Sequence, residues 1–337
     1  MRAMEIQGAY GIDNLKLADR PVPKAGPGQV VIRMKAASLN FRDLATVSGT
    51  YGPGHKLPLV PLSDGSGEVV EVGEGVRRLK VGDRVAPSFF QGWLSGDPVP
   101  ETLGTTALGG PIDGCAQEYM CLSAEGVSKA PANLSHEEIA CLPCAALTAW
   151  RALVVEGRMK AGDTVLVQGT GGVSIFALQF AKAAGARVIV TSSSDEKLER
   201  ARKLGADDFI NYKTTPDWAT EARKLTGGRG VDHVVEVGGA DTFPQSIMAS
   251  RVGGHVGVIG LLSGMTRDVN VAAIFSQNLK ISGVTVGSRA HFEDMTRAIE
   301  QNDIHPVIDK RFGLEEAQDA LRLMAGASHF GKIVLEI

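Results

Sequence analysis

The chain has 337 residues, with 35 basic side chains against 38 acidic ones and 44% hydrophobic residues. This balance leaves no basic footprint for nucleic acid or an anionic membrane, and no apolar run reaches the ~18 residues of a membrane span. Four cysteines in a chain of this length do not make a disulfide scaffold, and the opening MRAMEIQGAYG lacks the apolar core of a secretory signal, so a soluble cytoplasmic protein of two domains is expected.

Residues 1–125 read as β-rich. Gln29–Lys35 alternates, the runs Gly67–Val72 and Arg84–Pro87 are set off by Gly/Pro clusters, and Gly82-Asp83-Arg84 marks a turn into a strand. Residues 88–114 carry many Gly, Pro and Thr with little periodicity and are expected to be a long loop. Ser135-x-x-Glu138 reads as a capping box that opens a helix to about Val155, crossing between domains. From Thr164 strands and helices alternate. The strands are Thr164–Val167, Arg187–Thr191, Phe209–Tyr212, Val231–Val237, His255–Ile259 and Lys280–Val286. Ser193-x-x-Glu196 reads as a capping box for a helix over 194–204. Helices Phe292–Glu300 and Leu314–Ala325 and a strand Lys332–Ile337 follow, the last two returning to the first domain. Six strands with intervening helices predict a doubly wound parallel sheet.

The most informative stretch is Thr164–Ser194. A β-branched run leads into Gly169-Thr170-Gly171-Gly172-Val173-Ser174, and a helical run follows before the second strand. Strand, glycine turn, helix and strand in about thirty residues form a βαβ unit that binds a dinucleotide. The free backbone N–H groups and the positive end of the helix suit a pyrophosphate. Ser174 stands where the third glycine of the fingerprint belongs, so either the helix shifts or the hydroxyl bonds locally. An NAD site usually has a carboxylate at the end of the second strand. Here that place holds Thr191-Ser192-Ser193-Ser194, with Lys197 one turn into the next helix and Tyr212 ending the third strand. Hydroxyls and a lysine favour the 2′-phosphate of NADPH; Asp195 is the one carboxylate near enough to oppose it.

Taken together, Ala36–Asp43, Pro58–Gly67, Val72-Gly73, Val81–Val85, Ala146–Trp150, the glycine turn and Gly331–Val334 resemble the medium-chain dehydrogenase/reductase superfamily over essentially the whole length. The resemblance implies an α/β fold: a GroES-like β-barrel catalytic domain over residues 1–128 and 289–337, and a Rossmann doubly wound parallel sheet over 129–288, with nicotinamide in the cleft between them. Zinc alcohol dehydrogenases of this superfamily take cysteine where this chain has Asn40 and Gly-His-Glu where it has Leu62-Ser63-Asp64; only Cys144 matches a ligand. Asn and Ser are poor zinc ligands, so no metal is expected. The four-cysteine structural lobe is also missing. The zinc-free branch of quinone oxidoreductases and enoyl reductases is closer, with Asn40-Phe-Arg-Asp43 and Gly49-Thr-Tyr51 most like enoyl-reductase domains.

Without a metal, charge developing on the acceptor oxygen needs aimed donors or an acid. Tyr51 is the candidate acid, or else a wall residue that stacks on substrate. Asn40 offers an amide donor to substrate oxygen or to the nicotinamide ribose, while Arg42 and Asp43 are expected to pair with each other. The cofactor set is Asn40, Gly169, Gly171, Gly172, Val173, Ser192, Ser193, Lys197 and Tyr212. To these the resemblance adds Thr148, at the nicotinamide, and Gly238 and Gly260, at the ends of the fourth and fifth strands. Ser288 and Arg289 follow the sixth strand, where a cation can meet the pyrophosphate, and Lys332 is a further candidate phosphate contact. Cys141-Leu-Pro-Cys144 lies inside a helix, against a dithiol role. The four cysteines match no common zinc spacing, and the histidines show no metal pairing. The sixth strand, Leu279–Val286, is long and apolar for a sheet edge, which predicts a homodimer with two sheets joined edge to edge. The expected activity is NADPH-dependent hydride transfer to a quinone or an activated C=C. The alternatives are an NAD(P)-dependent alcohol dehydrogenase and an NADPH-binding sensor or structural protein.

Overall fold

The computed structural model describes residues 1–52 and 54–337. The chain forms two compact units, Met1–Leu147 with Val286–Ile337, and Thr148–Thr285. Residues 129–147 were expected with the dinucleotide unit but pack with the β-rich one. Ser38 Oγ donates to Ala140 O at 2.8 Å, and Cys144 N donates to Asp64 Oδ2 at 2.8 Å. The helix opened by Ser135 does form, with Glu138 N on Ser135 Oγ and Ser135 N on Glu138 Oε2. It is not uniform: π-turns occupy Leu142–Ala146 and Arg151–Glu156, and the unit boundary falls within this helical segment.

In the β-rich unit the strand Gln29–Ser38 is the organiser. It pairs antiparallel with Asp64–Val72, Tyr119–Ser123 and Lys332–Glu336. It is buried on both faces over most of its length, with Val30, Val31, Ile32, Met34, Ala36 and Ala37 all inside. The C-terminal return is as expected: Lys332–Glu336 lies between Gln29–Ser38 and the parallel strand Ile308–Gly313, and helix Ala317–Ala325 buries Ala320, Leu321 and Met324 against the same core. The stretch 88–114, expected to be wholly loop, contains one short helix, Pro100–Thr105, with proline at its first position.

The second unit is one parallel six-stranded sheet in the spatial order Asp208–Asn211, Arg187–Ser192, Thr164–Gln168, Val231–Glu236, Ser250–Val258, Lys280–Gly283. Thr164–Gln168 and Val231–Glu236 are buried along their whole length, as central parallel strands with both faces covered must be. Helix Gly172–Ala183 lays Ile175, Phe176, Leu178 and Phe180 into the core, with Trp150 edge-on to Phe180 at 5.5 Å.

Two expectations fail locally. The sixth strand covers only Lys280–Gly283 and is largely exposed; Gly283 ends the pairing, and Val286 takes a left-handed φ of 54° that a β-branched residue rarely adopts. The helix after the second strand runs Asp195–Lys203 and is capped by Ser194, whose Oγ accepts Lys197 N, not by Ser193. Among the described residues no helix is long and apolar enough to cross a membrane.

Candidate active site

The glycine turn makes a tight corner between strand and helix. Gly169 sits at φ +69° with its N–H on Thr191 O at 2.8 Å, which fixes the tight exit from the strand. Ser174 solves the missing third glycine locally: its Oγ donates to Gln168 O at 2.6 Å, so the hydroxyl folds back onto the strand end. Gly171 has ordinary extended dihedrals, and a Cβ there would meet no protein atom within 4 Å. Neither its backbone nor its packing demands glycine, and open space lies beside it at the N-terminus of the twelve-residue helix that begins at Gly172 and Val173.

Gly238 and Gly260 are different. A Cβ at Gly260 would lie 2.1 Å from Val237 O, and one at Gly238 would lie 2.2 Å from Thr242 Oγ1. Gly260 is held against the Val237 backbone, while Gly238 is crowded by the Thr242 side chain. Behind them is a network that sequence reading missed. Glu236, fully buried, accepts from Gln168 Nε2 at 2.7 Å, Gly239 N at 2.9 Å and Thr242 Oγ1 at 2.6 Å, and Ser246 Oγ also donates to it. Gln168 Oε1 in turn accepts Gly238 N at 3.1 Å. The network ties the loop after the fourth strand to the strand that launches the glycine turn. The available signal was a carboxylate, Glu236, following Val234-Val235 at the end of the fourth strand.

At the end of the second strand the structure brings three expected residues together. Ser192 is paired with Asn211, Tyr212 N donates to Ser192 O at 3.0 Å, and Lys197 follows the Ser194 cap. Ser193 is half-buried beside them. Asp195, the carboxylate that would repel a 2′-phosphate, accepts Asn211 Nδ2 at 2.7 Å and is held on the third-strand side. Thr148 is buried at the start of this unit.

In the β-rich unit, Asn40 stands at the end of a buried polar cluster. Asp43 Oδ2 accepts Asn40 N at 2.8 Å, and Asp43 Oδ1 accepts Ser63 N at 3.1 Å. Leu62, at a left-handed φ of 73°, turns the chain so that Ser63 N faces that carboxylate. Lys332 Nζ donates to Asn40 Oδ1 at 2.6 Å and to Leu39 O at 2.7 Å. That contact settles the amide's orientation, and Nδ2 donates to Ser63 Oγ at 3.5 Å. Ser63 Oγ donates to Asp64 Oδ1 at 2.7 Å. Burial pushes the Asp64 carboxyl up to about 6, against the pull of Lys332. Burial likewise pushes the Cys141 thiol up to about 12 and the Cys144 thiol far above its usual value, so neither is a ready thiolate. Among the described residues, no group of three or more His, Cys, Asp or Glu side chains is placed to hold a metal ion. The expected Arg42–Asp43 pair is present at 3.0 Å. Tyr51 lies over the Arg42 guanidinium, 4.8 Å from its carbon to the ring centre, and remains 43% exposed.

Two expected phosphate contacts are revised. Lys332 is buried, and its ammonium already serves Asn40 and Leu39. Ser288 is the buried N-cap of helix Arg289–Asn302, and Arg289 is engaged by the carboxylates of Glu125 and Glu293 and by Glu125 O, all within the β-rich unit.

Residues 26–132 match the model of the alcohol dehydrogenase GroES-like domain and residues 172–301 that of the zinc-binding dehydrogenase. A zinc-type alcohol dehydrogenase-like protein of Schizosaccharomyces pombe is 49% identical over 97% of this chain and 96% of its own. The chain belongs to the medium-chain dehydrogenase/reductase family. A putative alcohol dehydrogenase from Sinorhizobium meliloti superposes with a TM-score of 0.94 at 42% identity, covering 100% of this chain and 98% of that one. A crotonyl-CoA carboxylase/reductase, AntE, solved in complex with NADP, superposes at 0.88 with 26% identity, covering 100% and 95%. The protein is thus an NAD(P)H-dependent oxidoreductase with a GroES-like unit and a Rossmann sheet.

Proposed function

We propose that this family member is a zinc-independent, NADPH-dependent reductase that delivers hydride to a quinone or to the β-carbon of an enone or enoyl thioester. The observation that carries the reading is the donor set around Asn40. Where a metal would need cysteine and histidine there are an amide and a hydroxyl, and the amide oxygen is occupied by the Lys332 ammonium. A divalent cation there would face a fixed positive charge and neutral, poorly donating ligands. The family model's zinc-binding description therefore does not fit the residues present.

When bound, the reduced nicotinamide supplies the hydride. The chain's own task is to hold the dinucleotide and manage the charge left on the acceptor oxygen. Gly169, Gly171, Gly172 and Val173 offer the pyrophosphate cradle, and Ser192, Ser193, Lys197 and Tyr212 favour the 2′-phosphate. Asn40 Nδ2 donates to the developing oxyanion or to the nicotinamide ribose. Tyr51, exposed and braced on Arg42, carries a hydroxyl proton to deliver. A second copy of the chain is proposed to cover the apolar surface of Leu261, Leu262, Met265, Val271, Phe275 and Ile281, all exposed beside the short sixth strand.

The names of the relatives favour a second reading, a zinc alcohol dehydrogenase. Metal analysis of the purified protein, together with NADPH oxidation against quinones, enones, enoyl thioesters and aldehydes, separates the two. The reductase reading expects well under one zinc per chain, activity that survives chelation, and turnover of the first three acceptors. Stoichiometric zinc with activity lost on chelation refutes it.

A further inference from the structure

Gln168 and Glu236 are the last residues of the first and fourth strands of the parallel sheet, which lie side by side at its centre. The strand order reverses between them: the second and third strands lie on one side, the fifth and sixth on the other. In an open parallel sheet the crevice at that reversal, outside the carboxyl ends of the strands, is where a ligand binds. Two buried polar side chains close the sheet at this point. Leucines would fill the same space without desolvating a carboxylate. What the polar pair adds is direction.

Glu236 Oε1 accepts Gly239 N and Oε2 accepts Gln168 Nε2, and neither nitrogen can accept in return. The carboxylate therefore fixes which way the Gln168 amide points. Its Nε2 donates to Glu236 and, at 2.8 Å, to Ser246 Oγ, which leaves Oε1 to accept Gly238 N. The backbone O of Gln168 meanwhile holds Ser174 Oγ, on the first turn of the helix that follows the glycine turn. Gly238 is gripped from its other side by Ser263, whose N and Oγ donate to Gly238 O at 2.7 and 2.9 Å. Gln168 thus touches both turns that border the crevice, and Glu236 orients Gln168.

We propose that Glu236 and Gln168 are positioning residues for the dinucleotide: through the Gly238 N–H they set the turn after the fourth strand against the glycine turn, so that the cofactor meets a preformed crevice. This rests on the reading that these two turns hold the cofactor, and adds that a buried pair behind them decides how tightly. An amide at position 236 cannot play the part. If its oxygen stays on Gly239 N, its NH2 group faces Gln168, whose amide must turn over and present Nε2 to the Gly238 N–H. If its oxygen stays on Gln168 Nε2, the NH2 group faces the Gly239 N–H. Either way one strand-end N–H loses its acceptor. Exchanging the two residues restores every bond. The carboxylate at 168 accepts Gly238 N on one oxygen, and the new amide and Ser246 Oγ on the other; the oxygen of that amide accepts Gly239 N and Thr242 Oγ1.

Fluorescence titration with whichever of NADPH and NADH binds more tightly, beside urea unfolding without cofactor, tests the role. Glu236→Gln is expected to raise the Kd about tenfold, the scale of one backbone donor left unmet. The exchange, Gln168→Glu with Glu236→Gln, should return it to within about twofold of wild type on the same scale. A merely structural pair lowers the urea midpoint of Glu236→Gln but leaves the Kd of the folded molecules unchanged, and that result overturns the proposal. So does an exchange variant that unfolds like wild type but binds like Glu236→Gln. If Glu236→Gln does not fold, Gln168→Met is titrated in its place: it removes the acceptor of Gly238 N and leaves Glu236 its donors Gly239 N, Thr242 Oγ1 and Ser246 Oγ, and an unchanged Kd again overturns the proposal. Gly171→Asp separates this role from the reading beneath it, because its carboxylate enters open space beside the glycine turn and repels a pyrophosphate. Affinity lost in Gly171→Asp but kept in Glu236→Gln overturns the positioning role alone. Affinity kept in Gly171→Asp but lost in Glu236→Gln and restored by the exchange upholds that role and refutes the placement of the pyrophosphate at the glycine turn.

Discussion

Asp64 makes folding stability depend on pH in a direction opposite to most carboxylates. Its side chain is fully buried, and desolvation raises it from 3.8 to about 6, although Lys332, Ser63 Oγ and Cys144 N all favour the charged form. Between those two values the folded chain keeps a proton that the unfolded chain has lost. Stability therefore falls as pH rises through this window and levels off above about 6. Roughly two pH units at about 1.4 kcal/mol each give about 3 kcal/mol. Asp64→Asn removes the penalty while keeping the contacts, since an amide oxygen accepts Cys144 N and the amide nitrogen donates to Ser63 Oγ. Urea unfolding of wild type and variant at intervals from pH 4 to pH 8 should show the variant gaining on the wild type through this range, by up to about 3 kcal/mol at pH 7. A difference that does not change with pH refutes the argument and means that Lys332 holds Asp64 charged.

Three further outcomes are expected. Lys197→Ala should weaken NADPH by about tenfold and NADH little, measured by fluorescence titration, because a 2′-phosphate loses one charge-assisted bond; equal losses refute the cofactor assignment. Tyr51→Phe should slow enone or enoyl reduction by roughly 10²-fold or more while sparing quinones, whose reduced oxygen takes its proton from water; similar small losses on both make Tyr51 a packing residue. Phe275, 82% exposed on helix Val271–Ser276, is expected to anchor the contact between copies, so Phe275→Glu should convert a dimer to a monomer by light scattering at micromolar concentration; a wild-type monomer refutes that surface.

The parallel sheet was legible because each of its signals is local. Thr164–Gln168 and Val231–Glu236 are apolar runs ended by turns, and the glycine turn sits between a strand and a helix that any reading of period would find. Even the Ser174 departure had its two outcomes visible, and the hydroxyl took the local one. The edge strand was overread for the same local reason. Leu279–Val286 is a good strand sequence, but its pairing runs only over Lys280–Gly283, and the backbone turns left-handed at Val286.

The site in the β-rich unit was legible in composition but not in wiring. Asn40, Asp43, Ser63, Asp64 and Cys144 all stood out by family position, yet the residue that orients Asn40 is Lys332, 292 positions away in the chain. Read alone, a lysine near the end of a chain suggests a solvated or phosphate-binding cation. Only the pairing of Lys332–Glu336 beside Gln29–Ser38 shows that its strand enters the core and that its ammonium must find acceptors there. The same reasoning applies to Arg42. Its pairing with Asp43 was visible from adjacency, but its bonds to Leu108 O and Gly109 O emerge only when that segment is folded against it. Buried charges are where local reading fails most, because their cost is set by everything packed around them.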